Sequence, residues 1–331
     1  MSTNIAVLSA AHIHTQSFLE NIRDANDDRK ALVLWDADYA RGQRYAQKFS
    51  VPFEPDFERV LDNPEVDGFL ICAENTRHLA LLERTLPLGK PVFCEKPLGT
   101  STQDVARIRS LFERYKTVLT CGYFFPDDGG MRAVAALLER AELGAITHVR
   151  YCVAHHGAYG RWFDSPDLHW FTEPELAGGG GFLDLGSHGA HLLRTLFGPV
   201  KHVWATIGNH GGIYPTVDDF GVAHLKFENG IFGTLEANWI HRGSNGLEVQ
   251  GSSASIIEQP KLGLMLEREG ASIPIQPLEA RLTRVDRLVA AIRGELPEQD
   301  WRSDLEASLE AVKIIEAAYR SSEAGRWIEL A

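Results

Sequence analysis

Short apolar runs alternate with amphipathic stretches through the first third of the chain. Asn4-Ile5-Ala6-Val7-Leu8 and Ala31-Leu32-Val33-Leu34-Trp35 read as buried strands, and the apolar positions from about Thr15 to Arg23 recur at helical spacing between them. The pattern continues with a helix near 38–48, a strand at 67–72, a helix near 77–87, a strand at 91–94, a helix near 101–114 and a strand at 117–121. Strands that alternate with helices predict a parallel, doubly wound sheet with right-handed crossovers.

After Gly122 the pattern changes. A helix near 130–141 leads into longer alternating runs at 146–154, 200–207, 220–227, 231–239, 246–251 and 254–257, which predict a large, mostly antiparallel open sheet. The expected organisation is α/β throughout: a first domain over 1–123 and a second over 124–331, with the boundary near 122–128. A long aromatic and glycine-rich segment, 155–181, interrupts the second domain, and its length predicts a functional loop. A helix near 303–323 and a short strand at 326–330 close the chain. The run Ile231 to Trp239, with Phe232, Leu235 and Trp239, reads as apolar on one face and is expected to pack against another subunit.

The 331 residues are 44% hydrophobic, enough to fill two ordinary cores. A formal net charge of −12 repels polyanions, which argues against a nucleic-acid or anionic-membrane partner and leaves a small molecule. No apolar run reaches the roughly 18–20 residues of a membrane span, and no basic segment precedes the first apolar run, so a cytoplasmic protein is expected. Cys72, Cys94, Cys121 and Cys152 form no C-x-x-C pair and read as reduced thiols.

The most informative stretch is Glu95-Lys96-Pro97, which places a lysine at the carboxyl edge of a sheet, where open α/β folds bind ligands. The glycine run Gly178 to Gly181 leads into Asp184-Leu185-Gly186-Ser187-His188, whose Asp and His stand four apart on a helix start. Lysine, aspartate and histidine together can move a proton. With these motifs and the ending Glu316-Ala317-Ala318-Tyr319-Arg320-Ser321 followed by Gly325-Arg326, the chain resembles the Gfo/Idh/MocA oxidoreductases over nearly its whole length. Val66 to Ile71, His78, Gly89-Lys90-Pro91-Val92 and Gly251-Ser252 add to the match.

The resemblance implies a Rossmann domain, a substrate domain whose open sheet forms a homodimer or homotetramer interface, and NAD- or NADP-linked chemistry on a hydroxyl of a sugar, polyol or related compound. It implies Lys96, Asp184 and His188 as the catalytic group. His188 suits the base and Lys96 the positive charge near a developing alkoxide, while Asp184 orients the imidazole. The cofactor is expected against Ser9, Ala11, His12 and Ile13 of the first turn, and against Asp36, Asn75, His78, Glu95 and Lys96. Tyr123, His156, Arg161, Trp162 and His191 are the expected substrate contacts. A metal on Asp184, His188 and His191, which share a helix face, is geometrically allowed; hydride transfer from nicotinamide requires none, and none is expected.

One element departs from the family pattern. The first turn should read G-x-G-x-x-G/A, and this chain has Ser9-Ala10-Ala11-His12-Ile13-His14. Ser9 and Ala11 are small enough to admit a diphosphate at free helix N-terminal amides, whereas His14 is bulky. Asp36 at the end of the second strand would accept bonds from ribose hydroxyls and repel a 2′-phosphate, which favours NAD over NADP. Two alternatives stay open: an enzyme that cleaves glycosides by transient oxidation with bound NAD, and a non-catalytic sensor that has lost the dinucleotide site.

Overall fold

The computed structural model describes residues 2–243 and 245–330, which group into two compact units. Unit 1 takes the chain to Tyr123 together with Asp164–Gly178 and Leu282–Leu309; unit 2 takes Phe124–Phe163, Gly179–Arg281 and the chain from Glu310 onward.

In unit 1 the chain runs β1 (Thr3–Leu8), α1 (Thr15–Asp24), β2 (Arg29–Trp35), α2 (Tyr39–Phe49), α3 (Phe57–Leu61), β3 (Gly68–Ile71), α4 (His78–Thr85), β4 (Val92–Cys94), α5 (Thr102–Tyr115) and β5 (Leu119–Cys121). The strands form a five-stranded sheet of order β2-β1-β3-β4-β5, and every pairing is parallel. The order reverses at β1, so the carboxyl ends of β1 and β3 flank the crevice where such sheets take ligands. β1 is apolar at consecutive positions because both its faces are covered, and Ile5 to Leu8 are fully buried. Polar residues punctuate the helices: Asp38 caps α2, Asp56 caps α3, and Ser101 with Asp104 forms a capping box at α5.

Beyond Tyr123 the chain runs α6 (Gly129–Glu139) and β6 (Ile146–Ala154), then passes through Asp164–Gly178, which contains α7 (Pro174–Ala177) and belongs to unit 1. It continues as α8 (Gly181–Phe197), β7 (Val200–Gly208), β8 (Phe220–Phe227), β9 (Phe232–Asn238), β10 (Gly246–Gly251), β11 (Ser255–Gln259), β12 (Gly263–Arg268) and β13 (Ala271–Pro274), then α9 (Arg284–Ile292), α10 (Glu298–Ala324) and β14 (Ile328–Glu329). The second sheet has nine strands in the order β13-β12-β11-β10-β6-β9-β8-β7-β14, antiparallel except for β6 with β9. α8 lies close on it: a Cβ on Gly189 would stand 2.3 Å from Leu235 Cδ1.

β12, β13 and α9 were not expected from the sequence. β13 is exposed at every position, so it carries no alternation to read, and α9 is only nine residues long. α9 nevertheless completes unit 1, since its Val285, Leu288 and Val289 share one buried cluster with Ile5, Val7, Phe18, Leu70 and Phe93. The face expected of β9 is also corrected. Leu235 and Trp239 are fully buried, while Phe232 is 38% exposed, because strand side chains alternate and an even-numbered residue points away from an odd-numbered one. Among the described residues no helix is long and apolar enough to cross a membrane, and the four cysteines are free.

Candidate active site

In unit 1 the carboxyl edge of β4 delivers Glu95 and Lys96, 0% and 3% exposed. Glu95 Oε2 accepts the Lys96 amide at 2.9 Å, and Gly122 leaves room for this carboxylate: a Cβ there would stand 2.5 Å from Oε2. Oε1 faces His14 Nδ1 at 3.0 Å and His12 Nδ1 at 3.8 Å. Burial alone would lift the Glu95 carboxyl; the charges of His12 and His14, the His14 hydrogen bond and the Lys96 charge outweigh it and hold the group below the usual carboxylate range. His78, expected beside the cofactor, is fully buried with its ring nitrogens against Pro97 O at 2.7 Å and Ala73 O at 3.0 Å, where it braces the β4 turn. Burial lowers its pKa against the pull of those carbonyls. Asn75 donates to Ala177 O at 2.9 Å and ties the β3 edge to the return segment.

The first turn differs from the expected open row of amides. Ser9 holds the left-handed conformation at φ 71°, and its amide donates to Trp35 O. The Ala10 amide donates to Asp36 Oδ2, Ala11 to Ser9 Oγ, His12 to Cys72 O, His14 to His12 Nδ1 and Thr15 to His12 O. Ala10 and Ala11 are fully buried, while Ile13 is 40% exposed. Asp36 is likewise engaged: Arg41 Nε and Nη2 donate to its two oxygens at 2.8 and 2.7 Å, and the Asp38 amide adds a bond at 2.8 Å. Arg41 also reaches Glu74 Oε1 at 3.1 Å. Burial by itself would lower the guanidinium pKa, but the Asp36 and Glu74 carboxylates raise it and keep it charged. The return segment covers the turn as Trp170 Nε1 donates to Ala11 O at 3.0 Å and Phe171 packs 5.8 Å from the His12 ring. In this conformation the β4 edge presents Lys96 beside Glu95, and the amides of the first turn are bonded within unit 1.

Glu74 escaped the sequence reading, although its place just past β3 at the sheet edge was a usable signal. The partners of the turn amides were not legible, because Asp36 and Cys72 reach them from the ends of other strands.

In unit 2, α8 carries Asp184, His188 and His191 at i, i+4 and i+7, and all three are buried. Asp184 Oδ2 accepts Trp239 Nε1 at 2.9 Å, so the end of β9 fixes the carboxylate. The His188 ring lies against Phe124 and Phe125, with centroids at 5.5 and 5.1 Å. The helix begins without a side-chain cap of its own. Asp218 replaces it, accepting from the Gly180 and Phe182 amides at 2.9 and 2.8 Å and from Tyr319 Oη at 2.6 Å. Gly180 is required there, because a Cβ would lie 1.9 Å from Asp218 O. Of the expected substrate contacts, His156 and Trp162 meet edge to face at 5.3 Å, Arg161 stands over Tyr214 at 5.6 Å, and Trp162 is 37% exposed. Tyr123, in unit 1, is 1% exposed.

Two family models match the chain: an oxidoreductase family with an NAD-binding Rossmann fold over residues 3–123, and a GFO/IDH/MocA C-terminal domain over residues 131–257. A dTDP-3,4-didehydro-2,6-dideoxy-alpha-D-glucose 3-reductase of Saccharopolyspora spinosa is 28% identical over 254 residues, 76% of this chain and 73% of that one. A trans-1,2-dihydrobenzene-1,2-diol dehydrogenase of Mus musculus is 29% identical over 215 residues, 63% of this chain and 60% of that one. The fold is shared with the WlbA dehydrogenase of Bordetella pertussis, solved with NADH and UDP-GlcNAcA, at a TM-score of 0.84 and 18% identity over 100% of this chain and 99% of that one. It is shared also with an aldose-aldose oxidoreductase of Caulobacter crescentus complexed with glycerol, at a TM-score of 0.82 and 20% identity over 100% of both chains.

Proposed function

The chain belongs to the Gfo/Idh/MocA family, oxidoreductases with an NAD-binding Rossmann fold that act on CH–OH groups, and from that premise we propose that it moves a hydride between a nicotinamide and a hydroxyl or carbonyl carbon of a sugar-like compound. The observation that carries the reading is Lys96, buried at the carboxyl edge of β4 beside Glu95. Its ammonium stabilises negative charge on the reacting oxygen. His188 takes or returns the hydroxyl proton, and Asp184, held by Trp239, orients that imidazole. A bound nicotinamide supplies the hydride acceptor or donor. Tyr123, His156, Arg161, Trp162 and His191 provide stacking faces and hydrogen bonds for a polyhydroxylated ligand. The sugar reading is supported by relatives such as the Saccharopolyspora spinosa sugar reductase. The protein works as a homodimer or homotetramer.

A second reading, a binding homologue without a dinucleotide, is favoured by the internally bonded first turn. Calorimetry with NADH and NADPH, followed by turnover assays over aldoses, polyols and nucleoside-diphosphate sugars, separates the two. Saturable NADH binding and turnover of one substrate class are expected; absence of binding by both nucleotides would sink the enzymatic reading.

A further inference from the structure

The turn that lacks its glycines holds a different constellation. We propose that His12, His14 and Glu95 form a binding site for one divalent transition-metal cation, of the kind imidazole prefers: Zn²⁺, Fe²⁺ or Co²⁺. One atom from each residue, a ring nitrogen from each histidine and a carboxylate oxygen, lies within 4.8 Å of the other two. His14 Nδ1 and His12 Nδ1 stand 3.0 and 3.8 Å from the same Glu95 oxygen, and an ion would replace the 3.3 Å bond that His12 Nδ1 accepts from the His14 amide. Adjacent ligands on a cation with bonds of about 2.0–2.2 Å lie roughly 3 Å apart, a spacing that His14 and Glu95 already hold and that His12 approaches. The two rings meet edge to face, with centroids 4.7 Å apart and planes at 61°, rather than lying parallel.

The scaffold behind the donors is fixed. Glu95 Oε2 is held by the Lys96 amide, leaving Oε1 for the ion. The His12 backbone is pinned to Cys72 O, and its ring packs on Phe171. Glu95 and His12 have side chains 0% and 1% exposed, whereas His14 is 28% exposed and forms the side from which an ion enters. Two imidazoles and one carboxylate on one side leave further positions for water or a ligand, the arrangement of open rather than closed metal sites. Lys96 and Arg284 both act on the Glu95 carboxylate. Their positive charge disfavours Mg²⁺ and Ca²⁺, which depend on oxygen ligands and net negative charge, and leaves the nitrogen bonds as the source of affinity.

The test is a Co²⁺ titration of the full chain after chelation, followed by Zn²⁺ displacement and metal analysis. One Co²⁺ per chain is expected, with visible absorption typical of nitrogen and oxygen ligands, displacement by Zn²⁺, and no saturation by Mg²⁺. His14→Ala and Glu95→Gln should each weaken affinity by about 10-fold to 100-fold or more, since even residues behind the ligands have effects of that size. Cys152, Glu236 and His241 also converge, in unit 2. The titration is therefore repeated in Cys152→Ser, which should bind Co²⁺ unchanged. A thiolate charge-transfer band lost in Cys152→Ser would overturn the assignment. So would wild-type chain that binds none of the three cations at submillimolar concentration, or folded variants with unchanged affinity. If the variants fail to fold, X-ray absorption of the Zn²⁺-loaded wild type decides: imidazole scattering without sulfur supports the site, and its absence refutes it.

Discussion

The proposed mechanism gives Lys96 and His188 the charge and proton work, and both side chains are buried. Lys96→Ala and His188→Ala should each lower turnover by roughly 10²-fold or more on a true substrate, the scale of a lost general acid–base group. Far-UV circular dichroism should show both variants folded, and near-wild-type turnover in either would remove that residue from the mechanism. Arg41 makes the opposite kind of prediction. It pairs with two carboxylates, Asp36 and Glu74, with side chains only 0% and 5% exposed. Arg41→Ala leaves Asp36 buried without its cation and Glu74 with only the more exposed Arg77, so it should destabilise unit 1 by about 3–5 kcal/mol in urea unfolding. A loss under about 1 kcal/mol, as for a surface pair, would show that water reaches Asp36 freely. Asp36 remains the acid expected at the end of β2, but in this conformation its acceptor capacity is used by the protein itself.

At the scale of elements, the start of α8 is held from outside its own sequence. Asp218→Ala removes the acceptor for two helix amides and for Tyr319, and should cost about 1–3 kcal/mol. Tyr319→Phe should cost less, about 1 kcal/mol. Burial raises the Asp218 pKa, with the Tyr319 and amide bonds opposing it. A raised folded value means that its contribution is fully present below the unfolded value of about 3.9 and declines as pH rises through the folded one. Asp218→Asn should therefore flatten the fall in stability above about pH 4; an unchanged slope would mean that the group titrates normally. The glycine run and the Asp184 to His188 spacing were legible because close approach and helix phase leave marks in residue type. Asp218 was not, since its partners lie 36 and 38 residues earlier. The same holds for the first turn. The absence of glycine was readable, but the capture of Ala11 O by Trp170 was not, because the 164–178 segment has no periodicity to show which surface it covers.

For the whole molecule, the alternation of β8 and β9 decides which surface is left for assembly. Ala223, Leu225, Leu235 and Ala237 turn inward and are fully buried. The opposite side of the strands carries a row of rings: Trp204 on His224 at 5.5 Å, His224 on Phe232 at 5.9 Å and Phe232 on Trp327 at 6.1 Å, with the Lys226 ammonium 4.5 Å over Trp327. An aromatic row on an open sheet face is characteristic of an association surface, and the same row on a second copy makes a self-complementary, two-fold contact. The sequence pattern placed the contact on β9 and credited Leu235 and Trp239 along with Phe232, but those two face the interior. Phe232 is therefore the residue to change. Phe232→Glu should place charge at the centre of the contact and weaken self-association by about 30-fold or more, the equivalent of roughly 2 kcal/mol for a central aromatic. Light scattering should show at least a dimer for the wild type at micromolar concentration and monomer for the variant. A wild type that stays monomeric, or a Phe232→Glu chain that assembles as well as the parent, would move the interface away from this face.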